Sequence, residues 1–151
     1  MAGKRFERPL RIRFAHCDPA GIVFFPQYLV MFNGLVEDWI TEGLDIPYAE
    51  LLGPRRLGLP IVDLKCAFSA ISRMGDDVLL GLQVERVGRS SLALVLDVTG
   101  PGPDGGRELR VRSHQTLVCT SLDTHRPVPL PDDLRAALAG HSNDTDESTG
   151  D

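Results

Sequence analysis

Asp18 is the residue best placed to do chemistry. It lies in the segment FAHCDPAGIVFFPQY, residues 14–28. Asp-Pro-Ala-Gly is turn-forming chemistry. A helical pattern starts at Pro26, and the free N–H groups and dipole at a helix start favour negative charge nearby. Asp18 is too far ahead of Pro26 to be an ordinary N-cap. Ile22 to Phe25 are apolar, so the loop is expected to be partly buried. An acid in a partly buried loop needs a hydrogen-bonding partner or a catalytic job. The plain alternative is that Asp18 only fixes its own turn. His16, two residues earlier, can be a proton carrier, an orienter or a surface histidine.

Other chemical signatures are missing. The sequence holds no HExxH, no phosphate-binding Walker loop and no GxSxG. Ser90 and Ser91 precede a strand pattern, which argues against a nucleophile elbow. The cysteines, Cys17, Cys66 and Cys119, are odd in number, widely spaced and without a CxxC pair. They read as reduced apolar thiols rather than a zinc or redox motif. No metal site is expected.

The elements that would position Asp18 follow from periodicity. Residues 10–14, LRIRF, alternate as a strand does. From Pro26 to Glu42, the residues Leu29, Phe32, Leu35, Val36, Trp39 and Ile40 form one apolar helical stripe. Pro26 suits the first turn and Gly43 a C-terminal cap. Residues 47–53 suggest a short helical turn. Strand patterns then run over 61–71, 77–87, 91–99 and 108–122, separated by turns rich in Gly, Pro and small polar residues. Residues 131–138 suggest a last short helix. The fold class is α+β: a curved antiparallel sheet wrapped around one long helix.

With 151 residues, 42% hydrophobic and 25% charged, the chain has the composition of one globular domain. The expected organisation is a single domain over 1–138 and a disordered polar tail over 139–151. The tail carries Asp144, Asp146, Glu147 and Asp151, so removing it takes the net charge from −5 to about −1. The acidic balance argues against nucleic acid and acidic membranes as partners. No apolar run reaches the roughly 20 residues of a membrane span, and MAGKRFERPLR has no secretory apolar core. The expected compartment is the cytoplasm.

The segment 14–28, followed by the helix and the meander, resembles the hotdog-fold acyl-CoA thioesterases, above all the 4-hydroxybenzoyl-CoA thioesterase family. Leu59-Pro60-Ile61-Val62 and Asp76-Asp77-Val78-Leu79 add to the similarity, which covers about residues 9–135. The resemblance implies a homodimer with its active site at the subunit interface, and a homotetramer built from two dimers. It places the catalytic carboxylate on Asp18, as nucleophile or as general base. It places the oxyanion donor on the backbone N–H of Phe25, where many relatives have Tyr. His16, Phe24 and Asn33 fall on the substrate side. Phe32 and Met31 would add to an apolar acyl pocket. The hydroxybenzoyl branch has an Asp where this chain has Asn33. Coenzyme A would run past Tyr48, Leu59, Pro60 and Ile61 to a turn holding Arg89, Ser90 and Ser91, with Arg86 close by. Coenzyme A would enter as part of the substrate, and no separate cofactor is implied. An aliphatic acyl-CoA or acyl-carrier-protein thioesterase, or a non-catalytic acyl-CoA binder, would use the same fold.

Overall fold

The structure is a computed structural model and describes residues 4–141. Its main helix, α1, spans Pro26–Asp38 and continues as a π-helical turn over Trp39–Gly43. Pro26 opens it, where a missing N–H breaks no hydrogen bond. Tyr28, Met31, Phe32, Leu35, Val36, Trp39 and Ile40 form its buried stripe. Gly43 closes the π turn rather than capping a regular helix. A Cβ there would lie 2.9 Å from a Trp39 ring carbon and 3.2 Å from Phe6, so close packing demands glycine.

The sheet is antiparallel, in the order β1-β4-β5-β6-β3. Its strands are β1 (Phe6–Arg11), β3 (Ile61–Phe68), β4 (Asp77–Val87), β5 (Ser91–Pro101) and β6 (Arg107–Val118). Val78, Leu80, Leu82 and Val84 of β4 alternate onto the buried side, as do Leu92, Leu94, Leu96 and Val98 of β5. With the helix stripe they make one core, where a fully buried Leu or Val contributes about 1.5–3 kcal/mol. Short strands β2 (Leu57–Gly58) and β7 (Thr120–Ser121) pair separately. Helices α2 (Tyr48–Leu52) and α3 (Asp132–Ala139) complete the chain.

The first strand differs from the periodicity reading. It runs Phe6–Arg11, not 10–14, and Phe14–His16 form a 3-10 turn. Pairing fixes this, because Phe6 faces Leu82 and Arg11 faces Asp77. Arg5 anchors the start by two 3.0 Å bonds to Asp97. Ile12 then turns into the core at 1% exposure. Pro9 is tolerated because β1 is an edge strand. The strand expected over 61–71 stops at Phe68, because the Ser69 and Ala70 N–H groups both turn to the Arg110 carbonyl. The run expected over 108–122 breaks after Val118 into β6 and β7.

At the C-terminal end the described residues run three past 138, to His141. α3 reaches Ala139, and His141 is buried with its ring 6.3 Å from that of Trp39. Burial pushes the His141 imidazole below its ordinary range. The rest of the expected tail, 142–151, lies outside the described residues. No helix among the described residues is long and apolar enough to cross a membrane.

Candidate active site

Asp18 occupies a closed turn between β1 and α1. Its N–H donates to the Ile22 carbonyl at 3.1 Å, and Gly21 donates to the Asp18 carbonyl at 2.9 Å. Gly21 has φ +77°, which lets the turn close without Cβ strain. The Asp18 Oδ1 accepts the Ala20 N–H at 2.8 Å. So the turn-fixing role is real, but it uses one oxygen. Oδ2 has no hydrogen-bond partner among the described residues. The carboxylate is half-buried, as the apolar sequel implied.

The start of α1 holds one free donor. The Phe24 N–H bonds to the His16 carbonyl, Gln27 to Phe24 and Tyr28 to Phe25. Residue 26 is proline. That leaves the Phe25 N–H without an acceptor among the described residues. A free amide at a helix start carries the positive end of the helix dipole. Phe24 and Phe25 are 50% and 58% exposed, and Phe25 packs edge-on to Phe68 at 6.0 Å. His16 accepts the Arg13 N–H through Nδ1 at 2.9 Å.

A second loop, residues 69–76, backs the Asp18 turn. Val23 donates to the Ser72 carbonyl, Met74 to that of Gly21, and Ile12 to that of Asp76. The loop is held in turn by Arg110, which is 4% exposed. Its guanidinium donates to the Ile71 carbonyl, Ser72 Oγ, Asp76 Oδ2 and the Pro101 carbonyl at 2.7–3.1 Å. Glu108 pairs with its Nε at 3.0 Å. Tyr28 of α1 hydrogen-bonds to Ser72, and burial pushes its phenol up. Strand alternation hides Arg110, since Arg112 and His114 in the same phase face out. The register shifts here: Val98 faces Val111 while Thr99 faces Leu109. This bulge leaves Arg110 unpaired and re-aims it.

The expected residues fall into two groups. His16, Asp18, Phe24 and Phe25 gather where α1 begins. Leu59, Pro60, Ile61, Arg89, Ser90 and Ser91 gather at the other end of the sheet, where β4 ends and β3 starts. The length of β4 separates the two ends, roughly 33 Å at about 3.3 Å per residue. Within one subunit the structure does not bring them together. Arg89 is exposed, while Ser90 and Ser91 are buried. Tyr48 is partly buried, and burial pushes its phenol up. Asn33 is exposed midway along α1, and Phe32 is fully buried in the core. No three His, Cys, Asp or Glu side chains converge as a metal-ligand set among the described residues.

A sequence profile described as the thioesterase-like superfamily matches residues 12–138. The chain belongs to that superfamily. Its architecture is the hotdog fold and its reaction class is thioester hydrolysis. The 1,4-dihydroxy-2-naphthoyl-CoA hydrolase of Synechocystis sp. is 23% identical over 128 residues, covering 85% of this chain and 90% of that protein. The 4-hydroxybenzoyl-CoA thioesterase of Pseudomonas sp. strain CBS-3 is 26% identical over 117 residues, covering 77% and 83%. The solved structure of that Pseudomonas enzyme superposes with a TM-score of 0.80 at 23% identity, covering 88% of this chain and 98% of that one. In this superfamily member the loop at the start of the long helix carries a carboxylate oxygen and an amide that have no partner among the described residues.

Proposed function

We propose that the protein hydrolyses an aromatic or other small acyl-CoA to the free acid and coenzyme A. The observation that carries this is that the loop opening α1 holds both an Asp18 Oδ2 and a Phe25 N–H with no partner among the described residues. Thioester hydrolysis needs a nucleophile at the carbonyl carbon and a donor for the oxyanion. By one route Asp18 Oδ2 attacks the carbonyl, coenzyme A leaves as its thiolate, and water cleaves the acyl-aspartyl anhydride. By the other, Asp18 takes a proton from water as that water attacks. In both, the Phe25 amide receives the developing oxyanion. A backbone donor needs no side-chain hydroxyl at Phe25. Coenzyme A enters as part of the substrate, and the reaction uses no other cofactor. A panel of acyl-CoAs assayed for released thiol, with wild type beside Asp18→Asn, tests the reading.

The split between the two residue groups supports a homodimer. β3 is an edge strand, and Ile61, Val62, Leu64 and Phe68 on it are 40–60% exposed. A long apolar edge of this kind pairs with another strand or aggregates. β3 runs from the Arg89 end of the sheet to the Asp18 end. Two-fold antiparallel pairing of β3 with its copy would lay the Arg89 end of one subunit beside the Asp18 end of the other. The site then takes Asp18 and Phe25 from one chain and the coenzyme-binding residues from its partner. Mixing tests this sharply. Asp18→Asn and Arg89→Glu homodimers should each be weak at limiting substrate. Exchanging their subunits should restore activity, because each mixed dimer regains one intact site. If mixing restores nothing while subunits exchange, both groups act within one chain.

Asn33 bears on the acyl group. It can donate or accept a hydrogen bond but lacks the charge of an Asp. Asn33→Asp should raise the preference for 4-hydroxybenzoyl-CoA over benzoyl-CoA, by about tenfold for one charge-assisted bond. An unchanged ratio of kcat/KM would show that this position does not read the ring hydroxyl.

A further inference from the structure

The sheet has a face turned away from α1 that the chemistry above does not use. Alternation along β3 puts Lys65 and Ala67 on it, with Ser69 just past the strand end. They are out of phase with Cys66, whose thiol bonds to the buried Ser113. Alternation along β6 adds Arg112 and His114, set between the buried Val111, Ser113 and Gln115. The register aligns the two strands, so that Lys65 faces His114 and Ala67 faces Arg112. Lys65 and Arg112 are then diagonal neighbours, roughly 7–8 Å apart where their side chains leave the backbone. With Leu109, these residues line one cavity of about 290 Å³, and no acid lines it.

The acids that could neutralise this cavity are committed elsewhere. Across the sheet, Arg112 faces Asp97 of β5, and Asp97 faces Gly81 of β4. Both Asp97 oxygens are taken by Arg5, at 3.0 Å each. Gly81 makes room for that, because a Cβ there would collide with Arg5 Nη2. Glu108 is held at Arg110 Nε. Glu85 stands 3.8 Å from His114 Nδ1. Asp63 lies two residues before Lys65 on β3 and forms no ion pair with it. Among the described residues, nothing neutralises the Lys65 ammonium or the Arg112 guanidinium. Two cations set this close on one face repel each other until an anion joins them.

We propose that this cavity binds a small phosphomonoester, at a site separate from thioester hydrolysis. A phosphoryl group carries about −1.5 to −2 charge at neutral pH, which matches the two cations. The Arg112 fork would span two of its oxygens, with the Lys65 ammonium and the Ser69 hydroxyl on the others. Ala67 leaves the space beside Arg112 open, and Leu109 offers an apolar wall to the rest of the molecule. Pairing of β3 with its copy extends the sheet in its own plane, so it leaves this face uncovered. Asp18 and Phe25 belong to the start of α1, on the other side of the sheet.

Calorimetry on the full chain with inorganic phosphate and phenyl phosphate tests it, whether or not the chain hydrolyses acyl-CoA. Phenyl phosphate should bind wild type about fivefold more tightly than phosphate, through partial burial of its ring on Leu109. Arg112→Gln and Lys65→Gln should each weaken phenyl phosphate by about tenfold or more, the loss of one charge-assisted bond. Ala67→Leu keeps every charge but fills the cavity, and should weaken it by a similar factor. The three residues are exposed, so the variants should melt within a few degrees of wild type and keep the wild-type KM for acyl-CoA. Absence of phosphate and phenyl phosphate binding in wild type would overturn the site. Undiminished binding in Ala67→Leu would overturn the cavity and leave only diffuse surface charge. A KM that rises in Arg112→Gln for an acyl-CoA, but not for its dephospho-CoA counterpart, would assign these cations to the substrate's own coenzyme and overturn a separate site. A change of oligomeric state in Arg112→Gln would overturn it by making the face a subunit contact.

Discussion

Asp18→Asn is expected to lower kcat by about 10²–10⁴-fold, the range for loss of a positioned acid or base. At 10³-fold this is about 4 kcal/mol of lost transition-state stabilisation. KM should move little, because the proposed coenzyme contacts lie on the other residue group. The fold should not notice. Asn keeps an oxygen where Asp18 Oδ1 accepts the Ala20 N–H, so the turn can still close. Melting temperatures of the two proteins should therefore agree within a few degrees. Released thiol from an acyl-CoA panel measures the rate, and undiminished hydrolysis in Asp18→Asn would sink the role. Single turnover in ¹⁸O water separates the two routes. General-base catalysis labels only the product acid. A covalent route can also place label in the Asp18 carboxyl, when water attacks that side of the anhydride.

Much of this site was legible because its signals are local. Asp18, its turn, Pro26 and the α1 stripe lie within one stretch, and each residue type states its own backbone preference. β4 was read at its true bounds because alternation and turn chemistry agree there. The end of β1 was not, because the alternation of residues 10–14 runs on past the point where Ile12 leaves the sheet. Cross-strand pairing with β4 decides that boundary, and pairing is not a local property. Arg110 was hidden for a related reason. Its neighbours alternate, and only the bulge opposite Val98 and Thr99 reveals that its side chain leaves that phase. The two-ended distribution of the candidate residues likewise depends on topology. A list of motifs gives no distance between Asp18 and Arg89, whereas the meander puts most of a strand length between them.

Arg110→Met is expected to cost on the order of 3 kcal/mol of stability, the low end of the range for breaking a buried ion pair, because the Asp76 and Glu108 side chains keep 30% and 38% exposure. For a chain of this size that lowers Tm by on the order of 10 °C. The guanidinium is 4% exposed and joins five groups: Ile71, Ser72, Asp76, Pro101 and Glu108. Methionine fills similar space but makes none of those bonds. Asp76 keeps the Arg73 N–H at 2.9 Å yet loses its cation. Loop 69–76 then loses its anchor, and through Ser72 and Asp76 so does the backing of the Asp18 turn. Below the lowered Tm, kcat should fall more than KM rises, because on the proposed mechanism the Asp18 carboxylate is less well held while the proposed coenzyme contacts are remote. Arg110→Lys should recover only part of either effect, since one ammonium cannot span groups that a planar guanidinium reaches on several sides. Ser72→Ala and Tyr28→Phe should each cost about 1 kcal/mol. Combined with Arg110→Met they should add less than their separate effects, because all three break one network. Thermal melts with kcat and KM on each variant decide it. If Arg110→Met melts with wild type and keeps its kcat, the buried guanidinium neither anchors loop 69–76 nor positions Asp18.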